Sequence, residues 1–151
     1  MTELTPDEAA ALTHWSTFGR PGTPSPHRFV PDADALARLH SFVEPGSGVW
    51  PYAFGDAQTG ALLDGFEPEA MEDKWLIYSD EIADAATTSI HFHRSWTGQE
   101  IIRVDLALTA TGSTLTSAMW ELDAAVLKNP GEEFARSTFV ECCRWVLGVV
   151  V

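Results

Sequence analysis

Between residues 90 and 120 the chain carries three runs of β-branched and aromatic residues, at 90–96, 101–109 and 114–120. Only short turn sequences, Thr97-Gly98 and Thr111-Gly112, separate them. A parallel crossover needs about a dozen residues or more, so connections this short force antiparallel hairpins. A fourth run at 75–78 precedes them, and the pattern predicts a meander of about four strands.

Helical signals flank this region. Thr5, Pro6 and Glu8 combine an N-cap, a proline at the first helical position and a glutamate three residues after the cap. Ala11, Leu12, Trp15 and Phe18 then recur at helical spacing, and Gly19 ends the element. Four prolines make 20–31 an irregular loop. A second helix is expected over 31–43, where Leu36, Leu39 and Val43 share a face and Asp32 and Asp34 suit the positive end of the dipole. Pro45-Gly46-Ser47-Gly48 stops it, 49–54 reads as a short aromatic strand, and 55–73 as a long loop. Asn129-Pro130-Gly131-Glu132 opens a last helix, with Phe134, Phe139, Cys142, Trp145 and Val146 on its apolar face. The expectation is therefore an α+β fold: a short antiparallel sheet packed by N-terminal helices and a long C-terminal helix, in one domain over 1–151.

Composition bounds the rest. Hydrophobic residues make up 45 % of the 151 positions, with six Trp and eight Phe, so the chain has the apolar surface to offset ordering entropy. No stretch reaches the roughly 18 apolar residues of a membrane helix, and residues 1–5 lack the features of a signal peptide, which gives a soluble, cytoplasmic expectation with no membrane partner. A formal charge of −13 repels phosphate backbones and argues against nucleic acid. The acids are scattered, as in a solubilising surface. Cys142 and Cys143 are adjacent on a helix, about 100° apart in direction, which suits two reduced packing residues better than a disulfide or a zinc site. Val140 among Glu133, Arg136 and Arg144, with an apolar C-terminal end, leaves a homodimer open.

Alternation in the 90–96 strand puts Ile90, Phe92, Arg94 and Trp96 on one face and His91, His93 and Ser95 on the other. A loop with Gly98 in the left-handed position sets Phe92 and Ile90 on the side of Ile102 and Val104, and groups His91, His93, Ser95, Arg103 and Asp105 on the opposite side. His91 and His93 with Asp105 have the outline of a facial metal site, but a two-residue histidine spacing is common and no third ligand is fixed, so no metal and no cofactor is the expectation. Arg94 breaks an apolar face. It requires a carboxylate, an aromatic face or an anion, and Asp73 or Asp105 with stacking on Trp75 or Trp96 is the expected set.

The segments Asp73-Lys74-Trp75-Leu76-Ile77-Tyr78 and Phe92-His93-Arg94-Ser95-Trp96-Thr97-Gly98 resemble a family of small uncharacterised bacterial proteins carrying a D-K-W-x-I-Y strand followed by F-H-R-S-W-T-G. The resemblance covers about a quarter of the chain and implies no particular activity. This chain departs from the family in its longer 79–89 connection and in His91, where an aromatic residue is expected.

Nucleophile elbows and phosphate-binding glycine loops are absent from the sequence. The leading functional expectation is a binding module for an anionic small molecule or an acidic peptide segment, using Lys74, His93, Arg94, Ser95, Trp96 and Arg103. One alternative is a small hydrolase or transferase with His93 as general base and Arg94 or Lys74 stabilising negative charge. Another is a structural or partner-protein role in which the motif is a buried staple.

Overall fold

The structure, a computed structural model, describes residues 17–19, 27–81, 86–125 and 131–151. Six antiparallel strands form one sheet: β1 (Pro45–Gly48), β2 (Ala53–Gly55), β3 (Trp75–Ser79), β4 (Thr87–Arg94), β5 (Glu100–Thr109) and β6 (Gly112–Glu121). Their order is β1-β6-β5-β4-β3, with β2 also paired to β6. The helices are α1 (Ala33–Ala37), α2 (Asp56–Asp64) and α3 (Glu132–Glu141), the last running on into a wider π-type turn, Cys142–Val146. The fold is α+β as expected.

The central register follows from alternation and one glycine. Phe92 pairs with Ile102 and Ile90 with Val104, and Gly98 has φ +75° in the connecting turn. Ile77, Phe92, Ile102, Val104 and Trp120 all face the core, against Leu62 of α2 and Phe139, Cys142, Cys143 and Val146 of the last helix. The Phe139 ring meets Trp50, Tyr52, Phe54 and Phe92 at centroid distances of 5.6, 5.9, 6.4 and 5.6 Å. Full burial of one such side chain contributes roughly 2–3 kcal/mol. Both cysteines are free and buried, and burial pushes both thiols up.

Four expectations need correction. The sheet has six strands instead of about four, because the stretch expected to stop a helix is itself the edge strand β1. Proline is tolerated at the first residue of an edge strand, and Gly46 and Gly48 let β1 lie flat on Trp120, where an added Cβ would come within 2.7 and 3.0 Å of the indole. The expected 31–43 helix is five residues long. Asp32 Oδ1 caps it through the Ala35 amide at 2.8 Å, but beyond Arg38 the backbone bonds to the β4–β5 turn instead: His40 N–H donates to Gly98 O, and Glu100 N–H to His40 O. The 55–73 loop contains α2, which buries only Thr59 and Leu62 and so shows no apolar period. The C-terminal helix is short, ten residues before the π-type turn.

The N-terminal helix lies outside the described residues except for Thr17 and Phe18, both helical, followed by Gly19 at φ +79°. The 126–130 segment, with the Asn129-Pro130 start signal, lies outside them too. Among the described residues no helix is long and apolar enough to cross a membrane.

Candidate functional site

The face of the sheet opposite the core is polar where β3, β4 and β5 meet. Tyr78 pairs with His91, and His91 with Arg103, so the alternation of three strands stacks these side chains in one row. The next row is made by a break in register. After Phe92↔Ile102 the pairing slips to His93↔Glu100, leaving Ile101 as the extra residue of a bulge. By strict alternation Glu100 would point with Ile102 into the core; the bulge turns it onto the histidine face instead. Ile101 is buried by the same slip.

Glu100 is the hub of the resulting cluster. Its Oε2 accepts from His91 Nδ1 at 2.6 Å, and Arg103 holds it as a fork, with NH2 to Oε1 at 2.7 Å and Nε to Oε2 at 3.2 Å. His91 Nε2 meets Asp80 Oδ1 at 2.9 Å, so both ring nitrogens face carboxylates. The Asp80 backbone carbonyl is in turn held by Arg28 and by Thr88 Oγ1. Tyr78 covers both imidazoles, stacked at 4.6 Å on His91 and 5.9 Å on His93.

The charges follow from these contacts. Burial pulls the His91 imidazole down, but its hydrogen bonds to Glu100 and Asp80 outweigh that and raise it above the ordinary histidine value. Burial pushes Glu100 up, and the bonds from His91 and Arg103 reverse the sign and hold it below the usual carboxylate range. Tyr78, largely through burial and with Asp80 and Glu100 nearby, is pushed up to about 12 and stays a neutral phenol.

His93 differs from His91. Its Nδ1 lies 2.8 Å from Gly98 O, and a carbonyl can only accept, so the proton sits on Nδ1 and Nε2 carries a lone pair. That Nε2 is buried and has no hydrogen-bond partner among the described residues; Glu100 Oε2 is 3.8 Å away, outside hydrogen-bond range. Only 4 % of the side chain is exposed, and burial outweighs the Gly98 bond to pull the imidazole below its ordinary value. The ring opens on a cleft of about 190 Å³ whose floor is Tyr78, His91, His93, Glu100 and Arg103. Leu36, Leu39, His40 and Ser41 form its wall. Gly98 places that wall: an added Cβ would lie 2.1 Å from Arg38 O, so only glycine lets the 38–41 segment close on the turn.

Five of the six residues singled out from sequence fall in two hollows, and Ser95 lines neither. His93 and Arg103 line this cleft. Lys74, Arg94 and Trp96 line a separate hollow of about 180 Å³, and Arg94 belongs to the core face of β4. Lys74 Nζ sits 4.3 Å over the Trp96 ring and the Arg94 guanidinium 4.8 Å over Trp75. Ser95 Oγ donates to Asp73 O and Trp96 Nε1 to Met71 O, which tie the motif to the segment before β3. Arg94 stacks on Trp75 as expected, but the carboxylate partner is corrected: NH1 donates to Thr17 O at 2.7 Å, and no described carboxylate pairs with it. Asp105 faces the other side, accepting from Ser89 and Ser117, and Asp73 caps the amides of Glu69 and Ala70.

Sequence reasoning missed Glu100, Tyr78 and Asp80. The adjacent apolar pair Ile101-Ile102, both buried, was the available sign of a bulge that re-aims Glu100. Compared with known protein families, with curated proteins and with solved structures, the chain finds no match.

Proposed function

We propose that the protein is a binding module for a small anionic molecule seated in the cleft over His93 and Arg103. The observation that carries this reading is the buried His93 Nε2, a lone pair with no partner among the described residues, on a side chain that lines the cleft. Leaving such an acceptor unmet costs about 1–3 kcal/mol, and a bound molecule that meets it recovers that energy. Arg103 supplies the second contact. Its Nε and NH2 hold Glu100, and among the described residues none takes a hydrogen bond from NH1, which can donate to one oxygen of a carboxylate or phosphate. A volume of about 190 Å³ limits the ligand to a handful of heavy atoms.

The test is a titration with small hydroxycarboxylates, amino acids and phosphate esters, followed by His93 ring signals in NMR and by melting temperature. A ligand should move the His93 signals and raise the melting point, and Arg103→Gln should weaken it. A panel that leaves the His93 ring unmoved throughout removes the proposal's support.

A neutral imidazole with an unpartnered Nε2 also suits a general base, so a small hydrolase or transferase is the second reading. In that reading Arg103 takes the stabilising role, since Lys74 and Arg94 lie at the other hollow. Chemical conversion of a bound ligand, lost in His93→Gln, separates it from binding alone.

A further inference from the structure

We propose that the partner of the His93 lone pair is a divalent transition-metal ion of the zinc class, held by His91, His93 and Glu100. The proposal rests on the cleft being a binding site and names what occupies its floor; an anionic ligand then binds to the ion and Arg103 together.

The donor set comes first. One ligand atom from each of the three residues lies within 4.8 Å of the others, and all three residues are buried. Glu100 Oε2 is 2.6 Å from His91 Nδ1 and 3.8 Å from His93 Nε2. Ligands at zinc bond lengths stand roughly 3–3.5 Å apart, so the His91–Glu100 distance opens and the His93–Glu100 distance closes, each by less than about 1 Å, while the two imidazole ligand atoms, which lie within 4.8 Å of each other, draw together by up to about 2 Å. The ion takes the place of the hydrogen joining His91 Nδ1 to Glu100, and that proton leaves to solvent.

Each imidazole is also oriented from behind. His91 Nε2 is held by the Asp80 carboxylate and His93 Nδ1 by the Gly98 carbonyl, the two kinds of partner that fix the tautomer and direction of metal-binding histidines. Arg103 grips Glu100 mainly through Oε1, which leaves Oε2 as the ligand atom. Two imidazoles and one carboxylate suit zinc, cobalt or nickel and are too nitrogen-rich for magnesium or calcium. Three protein ligands leave the cleft side of the ion open, where Arg103 NH1 can steady an incoming anion.

The experiment uses the full chain, stripped with a chelator and titrated with Zn²⁺, and with Co²⁺ as an optical probe. One ion per chain is expected, with the His91 and His93 ring nitrogens shifting together in NMR while His27, which does not line the cleft, stays unmoved. His93→Gln should abolish one-to-one binding. Asp80→Asn, at a side chain half exposed to solvent, should keep the fold and weaken the ion about tenfold to a hundredfold. Unmoved His91 and His93 signals in the wild type overturn the proposal, as does undiminished binding in both variants. If His93→Gln fails to fold, the wild-type ring shifts and Asp80→Asn decide. Small anions that shift His93 in chelated protein while Zn²⁺ does not leave the binding module standing and remove only the metal; silence from both removes both.

Discussion

His93 and Gly98 are joined by one hydrogen bond, Nδ1–H to carbonyl oxygen at 2.8 Å, so the glycine that ends the motif sets the tautomer of the histidine near its start. The same carbonyl accepts from His40 N–H, which fixes the cleft wall and the His93 ring to one atom. Gly98→Ala should disturb both. Its φ of +75° and a Cβ 2.1 Å from Arg38 O force the 38–41 segment away. A loss of about 1–3 kcal/mol in denaturant unfolding is expected, with a changed His93 ring signal. A variant as stable as the wild type contradicts this account of the wall.

Arg94→Lys tests the other hollow. The guanidinium stacks on Trp75 and donates to Thr17 O, and lysine keeps the charge while losing the flat face. The expected cost is about 1 kcal/mol in urea unfolding. Because Arg94 is on the core face, the His93 ring signals should stay as in the wild type; a shift there would couple two places described above as separate.

Glu100→Gln should be among the most damaging single polar changes. The amide leaves Arg103 and His91 facing a neutral group in a buried setting, and breaking a buried pair in this way costs about 3–5 kcal/mol. Asp105→Asn, on the same face but bonded to two serine hydroxyls, should cost less. Equal melting temperatures for the two variants would refute the role of Glu100 as hub.

The pH dependence of stability, measured in chelator, has a definite sign at each site. The raised His91 value makes its contribution complete below about pH 6.5 and lost as pH rises through the folded value. The lowered His93 value works the other way, present above about pH 6.5 and lost as pH falls toward its folded value. The lowered Glu100 value adds a loss at more acid pH. Stability should therefore fall on both sides of a maximum, and His91→Gln should flatten the alkaline side. An unchanged alkaline slope in that variant would count against the Asp80–His91–Glu100 bridge.

Truncating Phe139 to alanine removes a ring in contact with four aromatic neighbours, and about 3–5 kcal/mol of stability should go with it. Equilibrium denaturation measures this directly.

Much of the core was legible because it depends on alternation. Ile90 and Phe92 could be matched to Val104 and Ile102 once Gly98 was placed in the left-handed position. What was hidden depends on exceptions to alternation. The slip after Phe92 moves Glu100 across the sheet, and a charged residue at the mouth of a hairpin ordinarily reads as solvated. Strand β1 was hidden because Pro45, Gly46 and Gly48 break regular structure in most settings, and here they fit an edge pressed against Trp120. Helix α1 was overextended because Leu36 and Val43 have helical spacing yet remain exposed, the backbone between them being drawn to the β4–β5 turn. Arg94 was flagged correctly as a polar residue on an apolar face, but its oxygen partner comes from the backbone of residue 17, which no side-chain pattern reveals.

The borders of the sheet have a further consequence for how copies of this chain can meet. On one side β1 and β2 together occupy most of β6. On the other, Phe66 bonds both ways with Ile77, and Arg28 takes the Ser79 carbonyl. Among the described residues a neighbouring molecule would find only short edges, four residues in β1 and three in β2, so fibre-like stacking by strand addition is disfavoured at both borders. Self-association through the described residues would therefore rest on side chains.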